Sequence, residues 1–253
     1  LETAYKEGRS RILIHPPSHP LLSIIYTLGA IVISGTIVVL LGGTLYLLPL
    51  SARLEVLTAM MLFTLSPALS YVNIIIKEVE TGPEQPVLEL EYASVFGIPV
   101  PIPRIVFARR KIIIAVNVGG AIVPSLASIL FLSAASHYWG AQDVITPFLV
   151  DLVVVSIVTY ATSRVIPGVG IAVPALIPPL TSATLATLLA GGAGLRAGFI
   201  AYAAGSLGSL IGADILRLLR DLEKMAAGIA SIGGVGVFDG IFLSGALALV
   251  LAL

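Results

Sequence analysis

Three aspartates, Asp151, Asp214 and Asp239, stand inside long apolar stretches of a chain that carries few charges. An ionised carboxylate at mid-bilayer costs about 2.5–3.5 kcal/mol even on lenient insertion scales, so such positions read as functional by default. Asp214 and Asp239 form the informative pair. They flank the short polar connection Arg220–Gly228, in the segments Ile211-Gly212-Ala213-Asp214 and Gly233-Gly234-Val235-Gly236-Val237-Phe238-Asp239-Gly240. Two carboxylates within hydrogen-bonding reach hold one proton between them. The ionised member can then take a proton from water while the protonated member polarises a carbonyl, the division of labour used in aspartic proteolysis.

For the pair to meet, the two segments must run antiparallel as neighbours, which a short connection favours. Counted as regular helices, the two carboxylates differ in depth by roughly 8 Å, a gap that unwinding at the glycines would close. The spacings Gly208-x-x-x-Gly212 and Gly236-x-x-x-Gly240 let helices approach closely. At about 100° per residue, Gly205, Gly208 and Gly212 share one face and Asp214 falls opposite it. Asp214 therefore lines a groove or a cavity unless the helix is distorted.

The elements that would carry these residues follow from composition. Of the 253 residues, 57% are hydrophobic and 11% charged, and the net charge is zero. Mean hydropathy is +1.06. So little charge cannot cover a soluble surface, which makes the lipid bilayer the expected partner, and a neutral chain gives nucleic acid no electrostatic footing. The absence of cysteine excludes disulfides and thiol chemistry. The polar start Leu1–Arg11 is followed by no cleavable leader pattern. Apolar runs near 21–48, 54–76, 112–135, 144–163, 171–190, 195–219 and 229–253 are each close to the roughly 20 residues a spanning helix needs. The expectation is one membrane domain over 1–253: an all-α, polytopic transmembrane bundle of about seven spans. Threaded this way, twelve of the fourteen Lys and Arg residues fall on one side, leaving only Arg53 and Arg196 opposite. That asymmetry predicts a cell-membrane protein with its N-terminus in the cytoplasm.

The loop 77–111 would then be cytoplasmic. Thr81-Gly82-Pro83 signals a turn, Val87–Tyr92 partly alternates, and Pro99, Pro101 and Pro103 enforce extended backbone. A small β-hairpin on the membrane surface is expected there. Prolines within the apolar runs, densest from Pro167 to Pro179, point to irregular backbone at membrane depth. Asn73 and Asn117 read as ordinary hydrogen-bonding groups between spans.

The aspartates and their glycines resemble the GxGD-type intramembrane aspartyl proteases, the group of presenilin and signal peptide peptidase. In that group each of two adjacent spans, joined on the cytoplasmic side, carries one aspartate, the second beside a glycine-rich turn. Here Asp214 and Asp239 take those places, and Gly234-Val-Gly236-Val-Phe-Asp239 is similar to the glycine motif. The Pro174-Ala175-Leu176 tripeptide, repeated at Pro67-Ala68-Leu69, is similar to the group's Pro-Ala-Leu element. The resemblance implies catalysis by Asp214 and Asp239, support from Gly212, Gly234, Gly236, Gly240, Pro174, Ala175 and Leu176, a transmembrane helical substrate and no cofactor. The chain as a whole also resembles an uncharacterised family of prokaryotic multi-pass membrane proteins.

Two other readings compete. Asp151, Asp214 and Asp239 could serve a proton- or cation-coupled transporter, or they could be neutral hydrogen-bonding groups between helices. No metal is expected: His15-x-x-x-His19 has ligand spacing, but Pro16 and Pro17 break the helix it needs. Gly168 and Gly170 make no nucleotide loop, and no Ser/His/Asp or HExxH pattern occurs.

Overall fold

Isoleucine and valine are concentrated at 72–79 and 112–116, and there the chain is extended rather than helical. β-branched side chains are stiff at χ1 and fit a pleated surface better than a helix. A computed structural model describes residues 11–14, 20–95, 98–166, 170–222, 228–234 and 240–253. Strand β1 (Ile12–Ile14) is followed by helices α1 (Pro20–Gly42) and α2 (Leu50–Leu69), then by strands β2 (Val72–Val95) and β3 (Ile98–Asn117). A π-helical turn, Val118–Ile122, leads into α3 (Val123–Trp139), which is followed by α4 (Ala141–Thr162). Short strands β4 (Arg164–Ile166) and β5 (Gly170–Ala172) precede α5 (Ile177–Leu189). Helix α6 (Leu195–Ser209) continues through a second π-helical turn, Leu210–Leu216, into α7 (Arg217–Asp221). Strand β6 (Gly228–Ile232) and helix α8 (Gly240–Ala252) complete the described elements.

The sheet corrects the all-α, seven-span expectation. Strands β1, β2, β3 and β6 form a mixed four-stranded sheet in that order, antiparallel except for the parallel β3–β6 pair. Among the described residues four helices are long and apolar enough to cross a membrane: Leu50–Leu69, Val118–Trp139, Ala141–Thr162 and Leu195–Asp221. They identify a membrane protein. The other apolar helical stretches, Ile31–Leu47, Ile177–Leu189 and Gly240–Ala252, are shorter. The expected span 171–190 begins as β5, and Pro174, Pro178 and Pro179 confine its helix to Ile177 onward. The expected span 229–253 begins as β6, with helix only from Gly240. The spans placed at 54–76 and 112–135 likewise include strand, at their C- and N-terminal ends respectively. The small hairpin expected within 77–111 is instead a long one, from Val72 to Asn117, forming the middle of the sheet.

Helix α6 is the axis of the bundle. Its residues from Ala197 to Ser206 are all buried, as a helix surrounded by neighbours requires. Around it, Phe131 stacks on Phe199 with ring centroids 5.0 Å apart and meets Tyr202 edge-on at 4.9 Å, while Phe63 stacks on Phe242 at 4.5 Å. The end of α2 meets the start of α3 through a hydrogen bond from Ser66 Oγ to the Gly119 carbonyl, 2.7 Å. Arg217 joins the ends of α6 and α4: its guanidinium donates to Ser163 Oγ at 3.1 Å and to the Tyr160 carbonyl at 3.0 Å. These helix ends lie beside the sheet, whereas Arg53 and Arg196 stand in the opposite first turns of α2 and α6.

Candidate functional site

Asp214 sits in the π-helical turn that extends the central helix. Such turns insert one extra residue per turn and recur at functional sites. Here the turn answers the question of which way the carboxylate faces. Gly208 and Gly212 pack against α4: a Cβ at Gly208 would come within 2.6 Å of Val155 Cγ1, and one at Gly212 would overlap the Ser156 carbonyl oxygen. Gly205 instead packs on α8, where a Cβ would lie 3.1 Å from Ala248 Cβ. The glycines thus serve two neighbours, and Asp214 turns to a third. Its Oδ2 accepts a 2.5 Å hydrogen bond from the backbone N–H of Gly233.

Gly233 can make that bond because it is glycine. Its φ is +94°, and a Cβ there would lie 2.7 Å from the Ala121 backbone nitrogen. The residue is wedged between Asp214 and the π-helical turn that opens α3. Gly234 follows with φ +86°. Strand β6 delivers both glycines to this point, since it is held parallel to β3 from Gly228 to Ile232.

A buried amide network joins the same junction. Asn73 and Asn117 are directly opposite on β2 and β3 and fully buried. Asn117 Nδ2 donates to the Ser70 carbonyl at 2.5 Å and to Asn73 Oδ1 at 3.1 Å, while its Oδ1 accepts from Gly120 N at 2.7 Å and so caps the helix start. Ser231 Oγ donates to Asn73 Oδ1 at 2.6 Å. Flipping the Asn73 amide would bring donor against donor at Asn117, so the network fixes its orientation. Asn73 Nδ2 then has no partner among the described residues. The network ties the ends of α2, β2, β3 and β6 to the loop that reaches Asp214.

The expected site residues distribute as follows. Gly212 is an α4 contact two residues from Asp214, and Gly234 is next to the Asp214 partner Gly233. Gly240 opens α8, and no atom of the described residues lies within 4 Å of a Cβ placed there. Asp239 and Gly236 lie outside the described residues, as do His15, His19 and Gly168. Pro174, Ala175 and Leu176 form an exposed turn at the start of α5. They follow β5, whose Ile171 packs against the Ile112, Leu218 and Ala230 cluster at the sheet end. Asn73 and Asn117 are strand-end residues rather than span residues, and with Ser231 and Gly233 they were not among the expected site residues. The Asn117-Val-Gly-Gly sequence held a signal, an Asn cap ahead of an apolar helix.

Asp151 is separate, fully buried in α4. Ser182 Oγ lies 2.9 Å from Asp151 Oδ2 and 2.9 Å from the Ala201 carbonyl oxygen. A hydroxyl carries a single proton. Both contacts are filled when Ser182 donates to Ala201 and a protonated Asp151 donates to Ser182. Asp151 Oδ1 has no partner among the described residues.

Residues 68–251 match the family model described as protein of unknown function DUF1614. No curated protein and no solved structure matches the chain.

Proposed function

We propose that this chain, which belongs to the DUF1614 family, is an intramembrane aspartyl protease that cleaves transmembrane segments with Asp214 and Asp239. The observation that carries the reading is the hydrogen bond from Gly233 N–H to Asp214 Oδ2. It seats Gly233, six residues before Asp239 in the chain, directly on the first carboxylate. From Gly234 to Asp239 is five residues of chain, a reach of at most about 18 Å, and Gly240 begins α8 immediately after. In this reading one carboxylate takes a proton from water as the resulting hydroxide adds to the scissile carbonyl, whose oxygen receives the proton of the other. Collapse of the diol then expels the amine, which leaves with a proton. The sheet end carries most of the cations, which supports a cytoplasmic sheet and N-terminus.

The test is cleavage of a model transmembrane peptide by purified protein in vesicles. Asp214→Asn and Asp239→Asn should each abolish cleavage alone, because neither half of the pair does the chemistry without the other. Cleavage that survives either change removes the proposal.

A second reading, proton- or cation-coupled transport, rests on Asp151. Its buried carboxyl, with one oxygen unpartnered among the described residues, is a proton-binding group inside the helix bundle. Flux that stops with Asp151→Asn but persists with Asp239→Asn would favour it.

A further inference from the structure

Beyond Thr81 the β2–β3 hairpin pairs only with itself among the described residues. Strand β1 covers β2 at Val72–Ile74, and β6 covers β3 at Ile112–Val116. An isolated two-stranded hairpin is marginal in water and needs a surface to lie on. The register sorts its side chains. Leu88 faces Ile105, Leu90 faces Pro103, and Pro86 faces Phe107, all on one side. That side is apolar and open: Leu88 is 67% exposed, Ile105 65% and Phe107 69%. The alternate positions place Glu89, Glu91 and Arg104 on the other side, interspersed with Val87 and Ile102, and there Arg104 pairs with Glu91 at 3.2 Å.

Two further features select the occupant. Between Thr81 and Gln85 the register shifts, with Gly82 at φ +78°, and irregularities of this kind bend a strand. The distal half can therefore turn relative to the sheet end, where the membrane-crossing helices terminate. Arg109 follows Phe107 by two residues on the same side of β3 and is exposed; its guanidinium lies 4.0 Å from Glu84, an exposed pair of the kind worth little in water, so its long basic chain can exchange that partner for headgroups at the edge of the apolar patch.

We propose that the distal half of this hairpin is a membrane-surface anchor, with its Leu88, Leu90, Ile105 and Phe107 face sunk into the lipid–water interface and its Glu89, Glu91 and Arg104 face in water. The lipid surface already surrounds the bundle from which the hairpin springs, so the anchor extends an existing interface. The inference does not depend on the protease reading.

The chain has no cysteine, so single labels can be placed cleanly. Spin labels at Leu88→Cys, Ile105→Cys and Glu89→Cys, in the full chain in lipid nanodiscs, are read by power saturation with oxygen and with a water-soluble nickel chelate. The anchor predicts an oxygen-to-nickel accessibility ratio several-fold higher at 88 and 105 than at 89. Equal ratios at the three positions overturn it. So does exclusion of both reagents at 88 and 105, the signature of a second copy or another protein on that face. As a second measurement, the double variant Leu88→Asp, Ile105→Asp should expose the hairpin to proteinase in nanodiscs while the helices stay protected. Unchanged cleavage of the hairpin also overturns the anchor.

Discussion

Replacing Gly233 with alanine isolates the contact on which the candidate site depends. Three effects act together. A left-handed φ of +94° costs a residue with a Cβ about 1–2 kcal/mol. The new methyl would sit 2.7 Å from the Ala121 backbone nitrogen, and backbone cannot yield as the end of a flexible side chain would. Relief of that overlap moves the Gly233 N–H away from Asp214, forfeiting a hydrogen bond to a carboxylate worth about 1.5–3 kcal/mol. The expected loss is about 3–5 kcal/mol. Gly82→Ala is the matched control: its φ is +78° but none of the described residues lies within 4 Å of a Cβ there, so only the backbone term of about 1–2 kcal/mol applies. Equilibrium unfolding in mixed micelles, followed by SDS titration, compares the two. A double-mutant cycle with Asp214→Ala should give a coupling of at least about 1 kcal/mol, since the hydrogen bond can be lost only once. The reasoning fails if Gly233→Ala is no worse than Gly82→Ala, or if the cycle is additive.

Other expectations follow from the packing and the amide network. Asn117→Ala removes the cap on Gly120 and the contacts to Ser70 and Asn73, and should cost about 2–4 kcal/mol in the same titration. Gly119→Ala would drive a methyl into the Ser66 carbonyl oxygen and Ser70; it should part α2 from α3 and expose their junction to limited proteolysis. Ser182→Ala should cost about 1–3 kcal/mol by leaving the Ala201 carbonyl and Asp151 without their shared hydroxyl. Stability unchanged by that substitution would contradict a closed Asp151–Ser182–Ala201 chain.

The bilayer setting was plain from composition, because a mean hydropathy of +1.06 leaves too little polar surface for water. The architecture was less so, for one physical reason. A short continuous apolar run cannot be assigned to strand or helix by periodicity alone, and here it belongs to strands whose Ile74 and Ile76 are exposed while Ile112 is buried. Thus Ile74-Ile75-Ile76 and Ile112-Ile113-Ile114 passed as parts of spans when their β-branched character marked strands β2 and β3. Asn73 and Asn117 were misplaced with them and became generic interhelical groups instead of opposed strand ends. The tight packing expected at Gly208 and Gly212 is present, whereas a Cβ at Gly240 would meet no neighbour among the described residues. The orientation of Asp214 hung on a π-helical turn, which no residue between Leu210 and Leu216 announces.

The parallel pairing of β3 with β6 has a consequence for biosynthesis. Parallel strands cannot be joined by a tight turn, and here the connection between them contains α3, α4, α5, α6 and α7. The ribosome must therefore deliver all of these helices before Gly228–Ile232 emerges to take its place along Ile112–Val116. Until then that flank of β3 offers its amides and carbonyls to any passing strand. A nascent chain stalled before β6 should be a target for chaperones even when its helices have already entered the lipid.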